Sequence, residues 1–279
     1  MAVQNIASHE LHQALSIMFA LADYLIHVEG EALPRDIDAP AAADLLHGHT
    51  RCAVPVTGAV YGTLLNDRAA LAALGDAVHE APYKAPPKAP VLYVKPRNTL
   101  TGHGASIEVP EQVAGASGSG VEVGASLGIV IGRTATRVTV ADAFDYIAGY
   151  TMVADISVPH ASVYRPSVRF RARDGFCAIG PAVVSRRYVR DPDNLTIRVG
   201  VNERTLFEAC TASAVRGVAQ LFSDVTDFMT LKAGDVLTLG VPHGSPVVHA
   251  GDTATLTIAD WPSLNLSFVA PHPAPGGER

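Results

Sequence analysis

Apolar residues recur along this chain with two different periods, and the change of period marks out its organisation. Near the N-terminus Leu11, Leu15, Met18, Leu21, Leu25 and Ile26 fall at helical spacing, with Ser8 placed to cap the run and Gly30 to end it. Residues 31–57 then carry Pro34, Pro40 and Pro55 around a short helical piece, Ala41–Leu46, and read as a linker or arm. A first strand is predicted over Val60–Leu65, and a helix capped by Asn66-Asp67 over the alanine- and leucine-rich stretch to Val78. The run Val91-Leu92-Tyr93-Val94 predicts a buried strand, while residues 111–120, EQVAGASGSG, predict an exposed loop.

From Val121 onward the pattern is that of strands. Leu127–Gly132 and Gly149–Asp155 read as buried strands, with a short helix between them over Val140–Tyr146. Val183, Ile197, Val199 and Val201 alternate as in further strands, and Asp191-Pro192-Asp193-Asn194 is a turn. A helix is predicted over Thr211–Phe228, and two Gly-Asp turns, at Gly234-Asp235 and Gly251-Asp252, each lead into a strand. Many short strands separated by turns, with few helices, predict an α+β, mainly β fold built on a rolled sheet.

Composition narrows the function classes. The 279 residues suffice for one large or two modest domains, and a net charge of −6 leaves no basic footprint for nucleic acid. Cys52, Cys177 and Cys210 are odd in number and far apart, with no CxxC or Cys/His cluster, so neither a disulfide framework nor a structural zinc site is suggested and a reducing cytoplasm is expected. Ala14–Ile26 is broken by Asp23, too short for a membrane span, and lacks the basic flank of a signal peptide. No membrane or nucleic-acid partner is therefore expected.

Candidate chemistry gathers in two stretches. Tyr83–Gly104, YKAPPKAPVLYVKPRNTLTGHG, delivers Lys95, Arg97 and Thr99 into a proline-bounded loop suited to an anion. The second, RPSVRFRARD, holds Arg165, Arg169, Arg171 and Arg173 before Asp174. Read as a strand, it places all four arginines on one face, where some must be solvated or paired with Asp155 or Asp174. The loop residues His103, His160 and His243 read as solvated histidines. Ser157 and Ser162 have no His/Asp partners at a spacing that suggests a triad. Cys177 reads as an inert core thiol.

In order along the chain, YVKPRNTLTGHG, LGIVIGRTATRVTVADAFDYIAGYTMVAD, RARDGFCAIGPAVV, NLTIRVGVNERTLFE, FMTLKAGDVLTLGVPHG and AGDTATLTI resemble the fumarylacetoacetate hydrolase superfamily over about Ala59–Val269. Within it the likeness is strongest to the N-terminal half of the decarboxylase/isomerase branch that serves 4-hydroxyphenylacetate breakdown. The resemblance implies a rolled mixed β-sheet core of the C-terminal-domain type with a few flanking helices over residues 58–270. Residues 1–57 stand outside it as a helix and arm of unknown role, and 271–279 as a disordered tail. It also implies a small oxo-dicarboxylate or tricarboxylate substrate, and an Mg2+ or Mn2+ ion acting as Lewis acid on the 2-oxo acid.

The chain departs from the family pattern where the metal would bind. The resemblance implies three carboxylates, a Glu-x-Glu and a distant Asp. Asp155 falls on the third position, but Gly124-Ala125-Ser126 stands where Glu-x-Glu is expected. Glu122 lies two residues upstream on the same strand face. The lid acid/base pair falls on Ala70 and Ala73, and the lysine near the metal on Arg171, which cannot act as a base near neutral pH. The metal is therefore expected to be weak or absent. Arg171 and Lys95 are the candidate catalytic residues, and Lys95, Arg97, Thr99, Arg171 and Asp174 the candidate substrate-binding ones. Arg171 is further expected to pair with Asp155 in place of the cation. The resemblance implies a metal-bearing paralogous subunit, or a second copy, as partner. A chain that only retains the fold and binds a small oxo acid is the alternative.

Overall fold

A computed structural model of the chain describes residues 27–28, 51–80, 84–160 and 167–272. The predicted helix over Leu11–Ile26, the piece Ala41–Leu46, Ser162, Arg165 and residues 273–279 lie outside the described residues. The strands in chain order are β1 (His27–Val28), β2 (Cys52–Ala53), β3 (Val60–Leu64), β4 (Val91–Lys95), β5 (Leu100–Thr101), β6 (Ser106–Glu108), β7 (Val121–Ile131), β8 (Ile147–Ser157), β9 (Cys177–Ser185), β10 (Thr196–Val201), β11 (Arg204–Cys210), β12 (Val236–Thr238), β13 (Val247–Val248), β14 (Thr253–Ile258) and β15 (Leu264–Val269). Among the described residues three α-helices accompany them, α1 (Arg68–Ala73), α2 (Val168–Arg171) and α3 (Val218–Phe228).

The fold is mainly β, a curled mixed sheet with few helices. One sheet runs β4-β3-β12-β7-β8-β9-β5, with β13 paired to β7. The other runs β11-β10-β14-β15-β6. Most neighbours are antiparallel, but β12 with β3, β5 with β9 and β15 with β6 are parallel. The centre of the larger sheet is β7-β8-β9, and these strands are buried along nearly their whole length. The smaller sheet alternates buried and half-exposed positions along β10, β14 and β15, as a sheet with one wet face must. Val123, Leu127, Ile129, Ile156, Ile197, Val199, Leu256 and Phe268 meet in the core between them. Burying one such side chain contributes about 1.5–3 kcal/mol.

α3 covers one side of this core. Val218, Leu221, Phe222 and Val225 recur at helical spacing and are fully buried. Its N-terminus is capped from a distance, because Asp193 accepts a hydrogen bond from the Val218 N–H at 2.7 Å. The helix predicted from Thr211 begins only at Val218, after a 3-10 turn over Thr211–Ser213. Likewise the helix predicted to reach Val78 ends at Ala73, because Gly75 turns the chain at φ +51° into a 3-10 turn.

Two predicted elements differ in kind. The arginine-rich stretch is not a strand: Val168–Arg171 is a short helix, so its arginines do not share a sheet face. The run Val91–Val94 is not buried either. β4 is an edge strand, with Val94 57% exposed and Lys95 buried. Alternation therefore turns Tyr93 and Lys95 inward together and Val94 outward.

Candidate functional site

Asp155 sits near the end of β8, with Gly124 of β7 opposite it on one side and Cys177 of β9 on the other. Neither neighbour supplies a polar group, and the residue is 3% exposed. Its charge is met from β4 and α2. Tyr93 donates its phenolic hydrogen to Oδ2. Lys95 Nζ stands 2.5 Å from Oδ1, and a guanidinium nitrogen of Arg171 stands 3.6 Å from the same oxygen. Oδ1 accepts no hydrogen bond of ordinary geometry, so its compensation is charge. Burial pushes the Asp155 carboxyl up to about 6, against the pull of Arg171. Burial also pushes the Lys95 ammonium down to about 7, and Arg171 adds to that shift.

The sheet makes room for this arrangement. Gly62 pairs with Tyr93 across β3 and β4, and a side chain there would collide with the phenol ring. A glycine at 62 thus lets the ring lie across the strand toward Asp155. Arg171 lies over the same ring, with its guanidinium carbon 5.3 Å from the centroid.

A cavity of about 250 Å³ opens on this cluster, bounded by Tyr93, Glu122, Asp155, Ser157, Arg171 and His243 among others. Glu122 faces it from β7, two residues from Gly124, and accepts a hydrogen bond from Ser157 Oγ at 3.2 Å. Ala70 of α1 also reaches it. Asp67 holds that helix against the 240–245 loop. Its Oδ2 accepts from the N–H groups of Ala70 and His243, and its Oδ1 from Ser213 Oγ.

The structure separates the sequence-predicted site residues into two groups. Arg171 and Asp155 line the cavity, 3.6 Å apart. Lys95 stands behind Asp155 and does not line it. Its ammonium also donates to the carbonyls of Ile156, Arg171 and Phe176 at 3.2, 3.2 and 2.9 Å, which leaves no free N–H for a ligand. Thr99 is fully buried and bonds its hydroxyl to Pro96 O at 2.7 Å, closing the 3-10 turn Arg97–Thr99. Arg97 and Asp174 are exposed, and Asp174 accepts from Asn98 at 2.7 Å. Asp174 borders a separate, wider groove with Arg173, Glu108 and His272.

His103 departs from the solvated reading, being 1% exposed with Nδ1 3.1 Å from Ser263 O. His160 stacks on Phe170 at 4.8 Å between centroids. Burial raises the Cys177 thiol to about 12, as an inert thiol requires. Tyr93 is a site residue that the sequence conceals within an apolar run. The signal was present in Tyr93 and Lys95 standing two apart, on one face of a strand.

The positions where the family resemblance implies a divalent cation do not fit one. Gly124 offers no ligand, and the methyls of Val241 stand 2.7 and 3.0 Å from where its Cβ would be, filling the space. Ser126 Oγ is committed to the 240 turn, donating to Gly240 O at 2.8 Å and accepting from Gly240 N at 3.1 Å. Asp155 is already held by Tyr93 and two cations. Among the described residues no group of three His, Cys, Asp or Glu side chains converges as a metal site. A hard ion needs several oxygen ligands, and the cavity offers two carboxylates, Asp155, already neutralised by nitrogen cations, and Glu122, which accepts from Ser157.

Comparison with known proteins agrees with the geometry at the level of fold. The fumarylacetoacetate (FAA) hydrolase C-terminal family matches residues 59–269. The 4-hydroxyphenylacetate degradation bifunctional isomerase/decarboxylase of Escherichia coli is 39% identical over 212 residues, covering 76% of this chain and 47% of that protein. The chain spans about half the length of the bifunctional relatives it matches. Among solved structures, 2-hydroxyhepta-2,4-diene-1,7-dioate isomerase from Mycobacterium marinum superposes with a TM-score of 0.63 at 27% identity, covering 80% of this chain and 79% of that one. Maleylpyruvate hydrolase from a Sphingobium species, solved with manganese(II) and pyruvate, superposes at 0.64 with 23% identity over 79% of this chain and 74% of that one, a likeness of fold.

Proposed function

The chain belongs to the fumarylacetoacetate hydrolase family, and from that premise we propose that it is one half of a decarboxylase/isomerase of 4-hydroxyphenylacetate breakdown. The substrates proposed are 5-oxopent-3-ene-1,2,5-tricarboxylate and 2-hydroxyhepta-2,4-diene-1,7-dioate. The half described here works beside a second, metal-bearing half. The observation that carries this reading is the pairing of Asp155 with Lys95 and Arg171 at the wall of the cavity. It leaves the family's metal position without a donor set, while keeping a cation for a carboxylate.

The roles follow from where the groups stand. Arg171 presents a planar fork to the cavity and suits a substrate carboxylate. Lys95 and Tyr93 hold Asp155 in place. Asp155, with a cation on one oxygen and a phenol on the other, orients Arg171 and does not take a proton from substrate. The bond-breaking step falls to the second half, where enolate stabilisation by a divalent ion belongs.

Co-expression with a metal-bearing half tests this. A heteromer is expected, with the divalent ion in the second half only. The chain alone should not turn over the tricarboxylate in Mg2+. Turnover by the isolated chain in Mg2+ at the rate of the heteromer, or failure to form a heteromer, overturns the reading. The same Arg171–Asp155 pairing favours a second reading, a remodelled or non-catalytic protein that binds a small oxo-dicarboxylate without turnover. A chain that binds such an acid but joins no heteromer supports it.

A further inference from the structure

Two features of the cavity beside Asp155 are left over once the family positions are accounted for. The first is the state of Arg171. Its side chain is 18% exposed and lines the cavity, yet its contacts among the described residues are a 3.6 Å approach to Asp155 and the face of Tyr93. Neither is a hydrogen bond. A guanidinium has five N–H donors in a rigid fork, and a mostly buried one ordinarily satisfies them. Among the described residues the acceptors beside it are occupied: Asp155 by Lys95 and Tyr93, and the carbonyls of Ile156 and Phe176 by Lys95. The donors therefore point to a ligand.

The second feature is polarity. At the Arg171 end, two cations face one carboxylate, which leaves a positive pole. On the neighbouring strand Glu122 borders the same cavity and takes a hydrogen bond from Ser157. No cation pairs with Glu122 among the described residues. The cavity thus has a positive wall and a negative one within about 250 Å³.

We infer that this cavity is a metal-independent carboxylate site, in which the Arg171 fork takes one carboxylate and Glu122 turns a second negative group away. Its ligand class is an acid with one carboxylate at the Arg171 end and a neutral or hydroxyl-bearing group next to it, toward Glu122 and Ser157, so that the further carboxylates of the substrates proposed above stand away from Glu122. A charge-assisted, two-pronged hydrogen bond is the strongest neutral-pH interaction the wall offers. Repulsion by Glu122 supplies selectivity against a second carboxylate adjacent to the first. Lys95 makes the arrangement possible by satisfying Asp155 from behind, so that Arg171 is not consumed by it. Tyr93 is a positioning residue, holding Asp155 Oδ2 and supporting the guanidinium face. The inference rests on the reading above only in taking a small carboxylic acid as the ligand.

Isothermal titration of the full chain tests it, with pyruvate and oxalate as one-carboxylate and two-carboxylate probes, each in EDTA and in excess Mg2+. Pyruvate is expected to bind with the same affinity in both buffers and more tightly than oxalate. Arg171→Ala should weaken pyruvate binding by about ten- to a hundredfold, and Arg171→Lys should restore part of it, charge without fork. Glu122→Gln should strengthen oxalate more than pyruvate. Melting curves of each variant show whether the fold persists, and because Arg171→Lys and Glu122→Gln keep size and shape, at least one informative variant remains if Arg171→Ala does not fold. Binding that requires Mg2+, no binding of either probe, or an undiminished affinity in Arg171→Ala overturns the inference. An oxalate-to-pyruvate ratio unchanged in Glu122→Gln overturns the role of Glu122. Because the titration uses this chain alone, failure to form a heteromer would leave its result standing.

Discussion

Two ion pairs of nearly equal length sit in the two sheets, and they have little else in common. In the larger sheet Lys95 and Asp155 stand 2.5 Å apart, with side chains 2% and 1% exposed. In the smaller sheet Arg198 of β10 and Glu208 of β11 stand 2.6 Å apart, with side chains 43% and 57% exposed. The exposed pair is a cross-strand contact that water and salt can replace. The buried pair has no such substitute. Each of its charges has been taken out of water and would be costly without the other. Charge in the larger sheet is therefore committed to the site, while charge in the smaller sheet only decorates a surface.

Lys95→Met should break this contrast most severely. It leaves Asp155 buried without its nearest cation, and chemical denaturation should show a loss of about 3–5 kcal/mol at neutral pH. The pH dependence has a definite sign. The Asp155 carboxyl lies at about 6 in the folded chain against an ordinary 3.8, so the folded state holds that proton more tightly. Its contribution to stability is present below about 3.8 and lost as pH rises through about 6. Lys95, lowered to about 7 from 10.5, has the opposite slope: its contribution is lost as pH falls through about 7. Removing Lys95 leaves only the Asp155 slope, displaced further upward, so the variant should be more stable at pH 5 than at pH 8. A second substitution, Asp155→Leu, should recover much of the loss at pH 8, because it removes the uncompensated charge.

Tyr93→Phe is the next largest. It deletes the donor to Asp155 Oδ2 and should cost about 1–3 kcal/mol in the same assay. If the cost falls within error, the phenol does not support the carboxylate. Arg198→Ala, across the exposed pair, should cost less than about 1 kcal/mol, and raising the salt should shrink the difference further. A cost as large as that of Lys95→Met would remove the distinction between the sheets. Thiol labelling at pH 8 probes burial without changing stability. Cys210, half-exposed, should react first with an aromatic disulfide reagent. Cys52 and Cys177, both buried and raised to about 11 and about 12, should react only on unfolding.

Much of the fold is legible in the sequence, because strands and turns are local. The alternation of Ile197, Val199 and Val201, the turn at Asp191–Asn194 and the Asp67 cap all appear where side-chain period and turn chemistry place them. The site was legible only in part. Asp155 and Arg171 were identified together, and the structure brings them to one cavity wall. Arg97, Thr99 and Asp174 were grouped with them, and the structure puts them elsewhere. Glu122 was marked only as a neighbour of Gly124 on one strand face, and it borders the cavity through that placement without any shift of register.

The sequence by itself determined the mainly β architecture and the absence of carboxylates at 124 and 126. These depend on residue type and on spacing along the chain. Only the tertiary structure decided which of two nearby cations would be buried. Lys95 and Arg97 are two residues apart, as are Arg171 and Arg173, yet one of each pair meets Asp155 and the other does not. That choice depends on Asp155 standing between Gly124 and Cys177 in the register of β7, β8 and β9, where no nearer group can neutralise it. Desolvation belongs to the assembled sheet, and the chain must fold before a charge has an environment to answer.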